Sequence, residues 1–248
     1  NKLNVYKGMD VKIYQLKVFL KLNQNVDFIN SPEFLSTNLH KAMLGDEALR
    51  SIHMQRYLKP YSIGFLYSMK GKKDTFVSGE DMYFYVRSID ESFISKLRIC
   101  LENSKNLGFN VHSSKLENLD IKQIDRLYTM SPATIVLKEG DKTIPWRREN
   151  SDITVLKEAL ISNLKNKYEY FLDKKIEIKD DIIELIEIKT NRAFAFRYKN
   201  GKIYAYRYQI HFSQNRLAQE FANIAMILGI GVKNTLGFGF CMRSNNAV

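Results

Sequence analysis

Of the four histidines in the chain, His40, His53, His112 and His211, two stand where proton transfer is chemically useful. His53 lies at the end of a short helical segment and is followed by Arg56 and Lys59, while His40 lies on the preceding helical segment, within reach of it. A histidine titrating near neutrality takes or gives a proton, worth roughly 10² to 10⁴-fold in rate, and a neighbouring lysine or arginine stabilises developing negative charge. RNA brings its own nucleophile, the 2′-hydroxyl. A protein then has only to position it, remove its proton, protonate the leaving oxygen and stabilise the charged phosphorane. The bland reading stays open beside this one, because an isolated histidine is more often a surface or core residue; His112 and His211 are read that way.

Other chemistries have little in the sequence to carry them. No HxH, HD, CxxC or HExxH pattern occurs, so no metal site is expected. No GxxxxGK[ST] motif occurs, and no cofactor is expected. Cys100 and Cys241 lie far apart without partners at ligand spacing and read as reduced structural thiols. No apolar run reaches the ~18 residues needed to span a bilayer, and the N-terminus has no signal-peptide core, so a cytoplasmic protein without a membrane partner is expected.

Charge points to a polyanionic partner. The chain of 248 residues has 38 basic and 27 acidic residues, a net +11, and lysines and arginines that meet phosphates release counterions. The surplus is clustered. Arg50, Arg56, Lys59, Lys70, Lys72 and Lys73 form one stretch, and Lys189, Arg192, Arg197, Lys199, Lys202 and Arg207 form another that contains no acid.

The elements that must position these groups follow from periodicity and turn signals. A strand is expected over 11–22, a helix from Ser31-Pro32 to Gly45, a short helix in DEALRSIHMQ, and strands over 61–67 and 81–89. A helix over 91–103 follows, and 116–130 can supply a closing strand. The second half repeats the plan, with strands over 133–138, 183–190, 194–199 and 202–212 and helices over 152–172 and 214–228. This order matches an α+β chain of two tandem ferredoxin-like, RRM-like domains, residues 1–128 carrying the histidines and 129–248 carrying a glycine-rich segment.

Within the second basic stretch, Asn200-Gly201 reads as the two-residue turn of a type I′ hairpin that pairs Lys199 with Lys202. One face then holds Phe194, Phe196, Tyr198, Ile203 and Ala205. The other holds Arg197, Lys199, Lys202, Tyr204, Tyr206 and Tyr208, a mixture of charge and aromatic rings that suits phosphates and unpaired bases. An ordinary solvated sheet face or an aromatic contact between domains remains the alternative.

GIGVKNTLGFG, residues 229–239, concentrates Gly229, Gly231, Gly237 and Gly239 between a helix and a final strand. That order is wrong for a dinucleotide fingerprint, in which a strand leads into a helix. The glycines let the backbone turn sharply and pass close to something, with Lys233 and Asn234 at the tip able to meet RNA. Close packing of the loop across the cleft between the domains is the competing explanation.

The segment GIGVKNTLGFG resembles the C-terminal signature of the RAMP superfamily. LRSIHMQRYLKPYSIGFLY, YTMSPATIVLK and NLKNKYEYF, in that order, resemble the CRISPR-associated endoribonucleases that process repeat RNA. This resemblance spans nearly the whole chain. It implies two ferredoxin-like domains and metal-independent cutting of repeat RNA that leaves a 2′,3′-cyclic phosphate and a 5′-hydroxyl. His53 matches the family's catalytic histidine, Lys59 a lysine that assists it in some members, and His40 falls near a position where some members have tyrosine. The resemblance leaves open whether His40 transfers a proton, orients the RNA or is inert. It also implies association with other CRISPR interference-complex subunits, and a non-catalytic, RNA-binding structural subunit of the same fold is the competing function.

Overall fold

Two antiparallel sheets, each with the connectivity strand, helix, strand, strand, helix, strand, form the molecule in a computed structural model that describes residues 12–71, 73–120 and 123–244. Val11 of the first expected strand, Lys72 of the first basic stretch, and Ile121 and Lys122 lie outside the described residues. The first unit runs β1 (Ile13–Leu22), α1 (Ser31–Met43), α2 (Glu47–Met54), β2 (Tyr61–Ile63), β3 (Asp81–Ser88), α3 (Glu91–Asn103) and β4 (Phe109–Leu119). Its sheet order is β2-β3-β1-β4, with a short strand at Tyr67–Ser68 also paired to β3.

Alternation explains β1. Leu16, Val18, Leu20 and Leu22 point into the core with α1 and α3, while Lys17, Phe19 and Lys21 line the opposite face. The closing strand is Phe109–Leu119, earlier in the chain than expected. FNVHSSKLENL has a mostly polar burial pattern because it is an edge strand, so it lacks the apolar alternation of an interior strand.

The second unit runs β5 (Arg126–Thr129), α4 (Ile153–Leu172), β6 (Ile183–Ile188), the hairpin β7 (Phe194–Tyr198) and β8 (Gly201–Ala205), β9 (Tyr208–Phe212), α5 (Arg216–Leu228) and β10 (Cys241–Arg243). Its sheet order is β6-β9-β5-β10. Two expectations are corrected. RLYT, not ATIVLK, opens this sheet; Val136–Glu139 pairs instead with Lys142–Pro145 in a separate hairpin. The expected single strand 202–212 breaks at Tyr206-Arg207 into β8 and β9, which belong to different sheets.

The hairpin turn is also one residue earlier than expected. Tyr198 pairs with Gly201 and Phe196 with Ile203, so Lys199 and Asn200 form the loop, with Lys199 in the left-handed region at φ 51°. Moving the turn centre by one residue shifts each cross-strand partner by two, so the faces keep their parity. Packing dictates this register. Phe196, Ile203 and Ala205 join Phe65 of the first unit and Phe238 of the glycine-rich segment in one buried cluster, and the Lys199 backbone N–H donates to the Glu33 carboxylate on α1.

Cys100 and Cys241 are both free thiols. Among the described residues, no helix is long and apolar enough to cross a membrane, and no three His, Cys, Asp or Glu side chains gather as a set of metal ligands.

Candidate active site

Helix α1 starts with Pro32 in its first turn, where a missing N–H costs nothing, and buries Leu35, Leu39, Ala42 and Met43. His40, next to Leu39, is held half-buried at the edge of that apolar face. Helix α2 is capped by the Asp46 carboxylate, which accepts from the Leu49 N–H at 2.9 Å, and it ends at Gln55 in extended conformation. His53 occupies its last turn. The chain then reverses so that Lys59 Nζ donates to the main-chain oxygen of His53 at 2.6 Å, placing a cation on a helix-end carbonyl that lacks a partner within the helix.

The two helix ends bring the imidazoles together, with ring centroids 4.3 Å apart and planes inclined by 39°. His40 Nε2 and His53 Nδ1 are buried and have no hydrogen-bond partner in the protein. Burial, then the positive charges of His53 and Lys59, pushes His40 down to about 4. Burial and then Lys59 lower His53, and burial lowers Lys59. At neutral pH the cluster is therefore a neutral imidazole pair beside an ammonium. Arg56 is exposed on the segment that links His53 to Lys59.

A cleft of about 180 Å³ opens beside Lys59, walled by residues 57–61 on one side and residues 231–235 of the glycine-rich segment on the other. The segment is built by close approach. A Cβ on Gly239, at φ 72°, would lie 2.1 Å from the Ile230 oxygen, and one on Gly237 would lie 2.8 Å from the Phe65 ring of the first unit. Close packing thus explains the glycines, within the second unit at Gly229, Gly231 and Gly239 and across the boundary between units at Gly237. Lys233 remains exposed, with Nζ 5.7 Å from the Tyr198 ring centroid. Asn234, expected at an RNA-facing tip, is turned inward instead: its Nδ2 donates to the Ile230 and Phe238 oxygens, both at 2.9 Å, because the tight turn leaves those carbonyls without other partners.

Lys167 was not singled out from the sequence, and it anchors this segment. It is 3% exposed, and Nζ donates to the Gly229 and Gly231 oxygens at 2.7 and 3.0 Å and to Asn234 Oδ1 at 2.7 Å. Burial pushes its ammonium down to about 7. Its signal was present: Leu156, Leu160, Leu164 and Phe171 form the buried stripe of α4, and a lysine on such a stripe needs a partner.

The hairpin group presents a second set of basic side chains. Arg197, Lys199 and Lys202 are exposed, and Tyr204 is half-buried with the Arg147 guanidinium 3.7 Å above its ring. Tyr206, expected on the exposed face, is corrected to a core residue at 1% exposure; it follows the end of β8 and packs edge-on against Trp146 at 5.5 Å. Tyr208 is buried as well, in β9 of the other sheet.

Residues 114–242 match the family described as CRISPR associated protein Cas6, C-terminal. Over 239 residues, 91% of this chain and 98% of the relative, the sequence is 23% identical to the CRISPR-associated endoribonuclease Cas6 2 of Methanocaldococcus jannaschii. Among solved structures, a RAMP protein described as binding different RNA substrates superposes with a TM-score of 0.75 at 17% identity, covering 94% of this chain and 100% of that one. The product of a Cas6-related gene from Pyrococcus furiosus superposes at 0.72 with 20% identity, covering 94% and 99%. Both likenesses agree with the tandem ferredoxin-like architecture, and the family match spans more than half of the sequence: the chain belongs to the Cas6 family of CRISPR-associated proteins.

Proposed function

We propose that the protein is an endoribonuclease that cuts CRISPR repeat RNA without a metal ion, leaving 2′,3′-cyclic phosphate and 5′-hydroxyl ends. The observation that carries this reading is the meeting of the His40 and His53 imidazoles beside Lys59, which itself lines a cleft whose other wall is the glycine-rich segment. Family membership and the endoribonuclease relative support the same reading.

His53, neutral at working pH because its proton affinity is lowered, acts as the general base on the 2′-hydroxyl. The 2′-oxygen forms its bond to phosphorus as the bond from phosphorus to the 5′-oxygen breaks. Lys59, still an ammonium, stabilises the phosphorane and supplies the proton to the leaving oxygen. His40, which holds a proton only near pH 4, is a poor donor at neutral pH and serves as a positioning residue against the His53 ring. The first unit thus carries the cutting groups and the second the glycine-rich wall.

The test uses repeat RNA in excess chelator and the same RNA with a 2′-deoxy nucleotide at the cut. Cleavage should survive the chelator, stop with the 2′-deoxy RNA, and fall by at least about 10²-fold in His53→Ala with binding largely kept. Dependence on magnesium, or cutting of the 2′-deoxy RNA, would overturn the mechanism; undiminished cutting by His53→Ala would overturn the assignment.

A further inference from the structure

A second groove, of about 600 Å³, lies wholly within the second unit and shares no lining residue with the cleft beside Lys59. A tight local fold builds it. After the strand Lys142–Pro145 the chain buries Trp146, whose Nε1 donates to the Asp152 oxygen at 3.0 Å, and then turns. Asn150 closes that turn twice: its Oδ1 accepts from the Arg147 N–H at 2.7 Å, and its Nδ2 donates to the Pro145 oxygen at 3.1 Å. Arg147 is thereby held with its guanidinium 3.7 Å from the centroid of the Tyr204 ring, and both side chains line the groove.

Arg192 lines the same groove, and among the described residues neither guanidinium donates a hydrogen bond or pairs with a carboxylate. Glu149, the one acid on the groove, is exposed and pairs with neither. A guanidinium presents five N–H donors in a planar fork, so two of them against one carboxylate suit an anion with several acceptor oxygens, a phosphate above all. Tyr204, Ile144 and Pro145 add ring and apolar surface. The volume falls within the ~300–1,000 Å³ of small-molecule pockets, which is room for a nucleotide. A strand fits better than a free nucleotide, because the rim at Glu149, Asn150 and Arg192 is exposed and the cations continue beyond it. The hairpin register pairs Ala195 with Tyr204 and Arg197 with Lys202, so exposed Arg197 and Lys202 stand beside Tyr204 on one face.

We infer that this groove is a second RNA site that holds one unpaired nucleotide other than the one cut, its phosphate on Arg147 and Arg192 and its base against Tyr204 and the Ile144-Pro145 wall. The inference rests on the RNA-cleavage reading above. Aromatic surface for the base and a basic track for the backbone are the means by which proteins hold single strands.

The probe is the repeat RNA, made uncleavable by a 2′-deoxy nucleotide at the cut, with one neutral methylphosphonate walked along its linkages. At one linkage other than the cut, neutralising the phosphate should weaken wild-type binding by about tenfold or more. In the double variant Arg147→Gln, Arg192→Gln that cost should shrink to less than about twofold, because the partners of that phosphate are already gone. Arg192→Gln alone should shrink it too, which keeps the test decisive should Arg147→Gln disturb the turn. An abasic nucleotide beside that linkage should weaken wild-type binding by about tenfold. No linkage whose cost shrinks in either variant, or no loss from the abasic nucleotide beside it, overturns the second site. A free nucleoside monophosphate that loses affinity in Arg192→Gln while the RNA does not would give the groove to a mononucleotide and overturn it as well. RNA that is bound and cut with no such linkage sinks this inference alone; an absence of RNA binding sinks both it and the functional reading.

Discussion

His40 carries the most testable charge behaviour of any single residue. Its charged neighbours are His53 and Lys59, both positive when protonated, and its ring is largely out of water, so the folded state holds its proton only near pH 4 while the unfolded chain holds it near 6.5. Between those values the unfolded state binds more protons. Stability therefore rises with pH through that window and is lost as pH falls from about 6.5 toward 4, with a slope of at most ~1.4 kcal/mol per pH unit for one group. His53 adds to the loss in the same direction. We expect urea midpoints of the wild-type protein to drop more steeply from pH 7 to pH 4 than those of His40→Leu, in which this group no longer charges; parallel curves would refute the depressed value. The same residue shows what a sequence can and cannot convey. The neighbourhood of His53 and Lys59 was legible because they lie close together in the chain. The contact between the two rings was not, because it depends on the angle at which α2 turns back on α1.

At the scale of elements, the glycine-rich segment is a turn held by its surroundings rather than by its own propensity. Lys167 on α4 gathers its carbonyls, Asn234 ties Ile230 to Phe238, and the Ile230 and Gly239 backbones pass close enough for the Ile230 N–H to reach the Gly239 oxygen at 2.9 Å. Gly239→Ala would put a methyl 2.1 Å from the Ile230 oxygen at a positive φ. Strain of that kind costs about 1–3 kcal/mol before the clash is counted, so we expect a loss of at least ~2 kcal/mol in unfolding free energy and a loosened cleft wall, read as a lower thermal midpoint and faster amide exchange at residues 230–238. A variant as stable as wild type would show that the segment does not need this path. The glycines announced a close approach but not its object, since neither Phe65, against which Gly237 packs, nor Pro132, whose oxygen accepts from the Gly239 N–H at 2.9 Å, is near them in sequence. The hairpin illustrates the same limit: Asn200-Gly201 is a strong turn signal, yet packing of Phe196 and Ile203 onto Phe65 and Phe238 decides the register and moves the turn to Lys199-Asn200.

Across the whole molecule, the two sheets are joined by a buried cation as well as by apolar contact. Arg87 on β3 is fully buried; it donates to Gln15 Oε1 at 2.8 Å and to the Met226 oxygen at 2.9 Å, and its guanidinium lies 4.4 Å from the Phe240 ring centroid. One unit's sheet is thereby tied to α5 through Met226 and to the final strand of the other through the Cys241 oxygen, which also accepts from the guanidinium. Sequence alternation placed Arg87 on a strand but could not reveal that its face is covered by another domain. The chain carries a net charge of +11, and the exposed hairpin cations form one patch of it. If RNA runs from the cleft over Lys233 to the hairpin, removing Arg197, Lys199 and Lys202 together removes three phosphate contacts. Each contributes about 0.7 to the slope of log affinity against log salt for a single strand, so the triple variant Arg197→Ser, Lys199→Asn, Lys202→Ser should flatten that slope by about 2. Asparagine tolerates the left-handed backbone at position 199, so the turn should survive the change. Repeat-RNA binding measured at several salt concentrations decides it: a slope unchanged in the triple variant takes the RNA off the hairpin and leaves the cleft and Lys233 as its path.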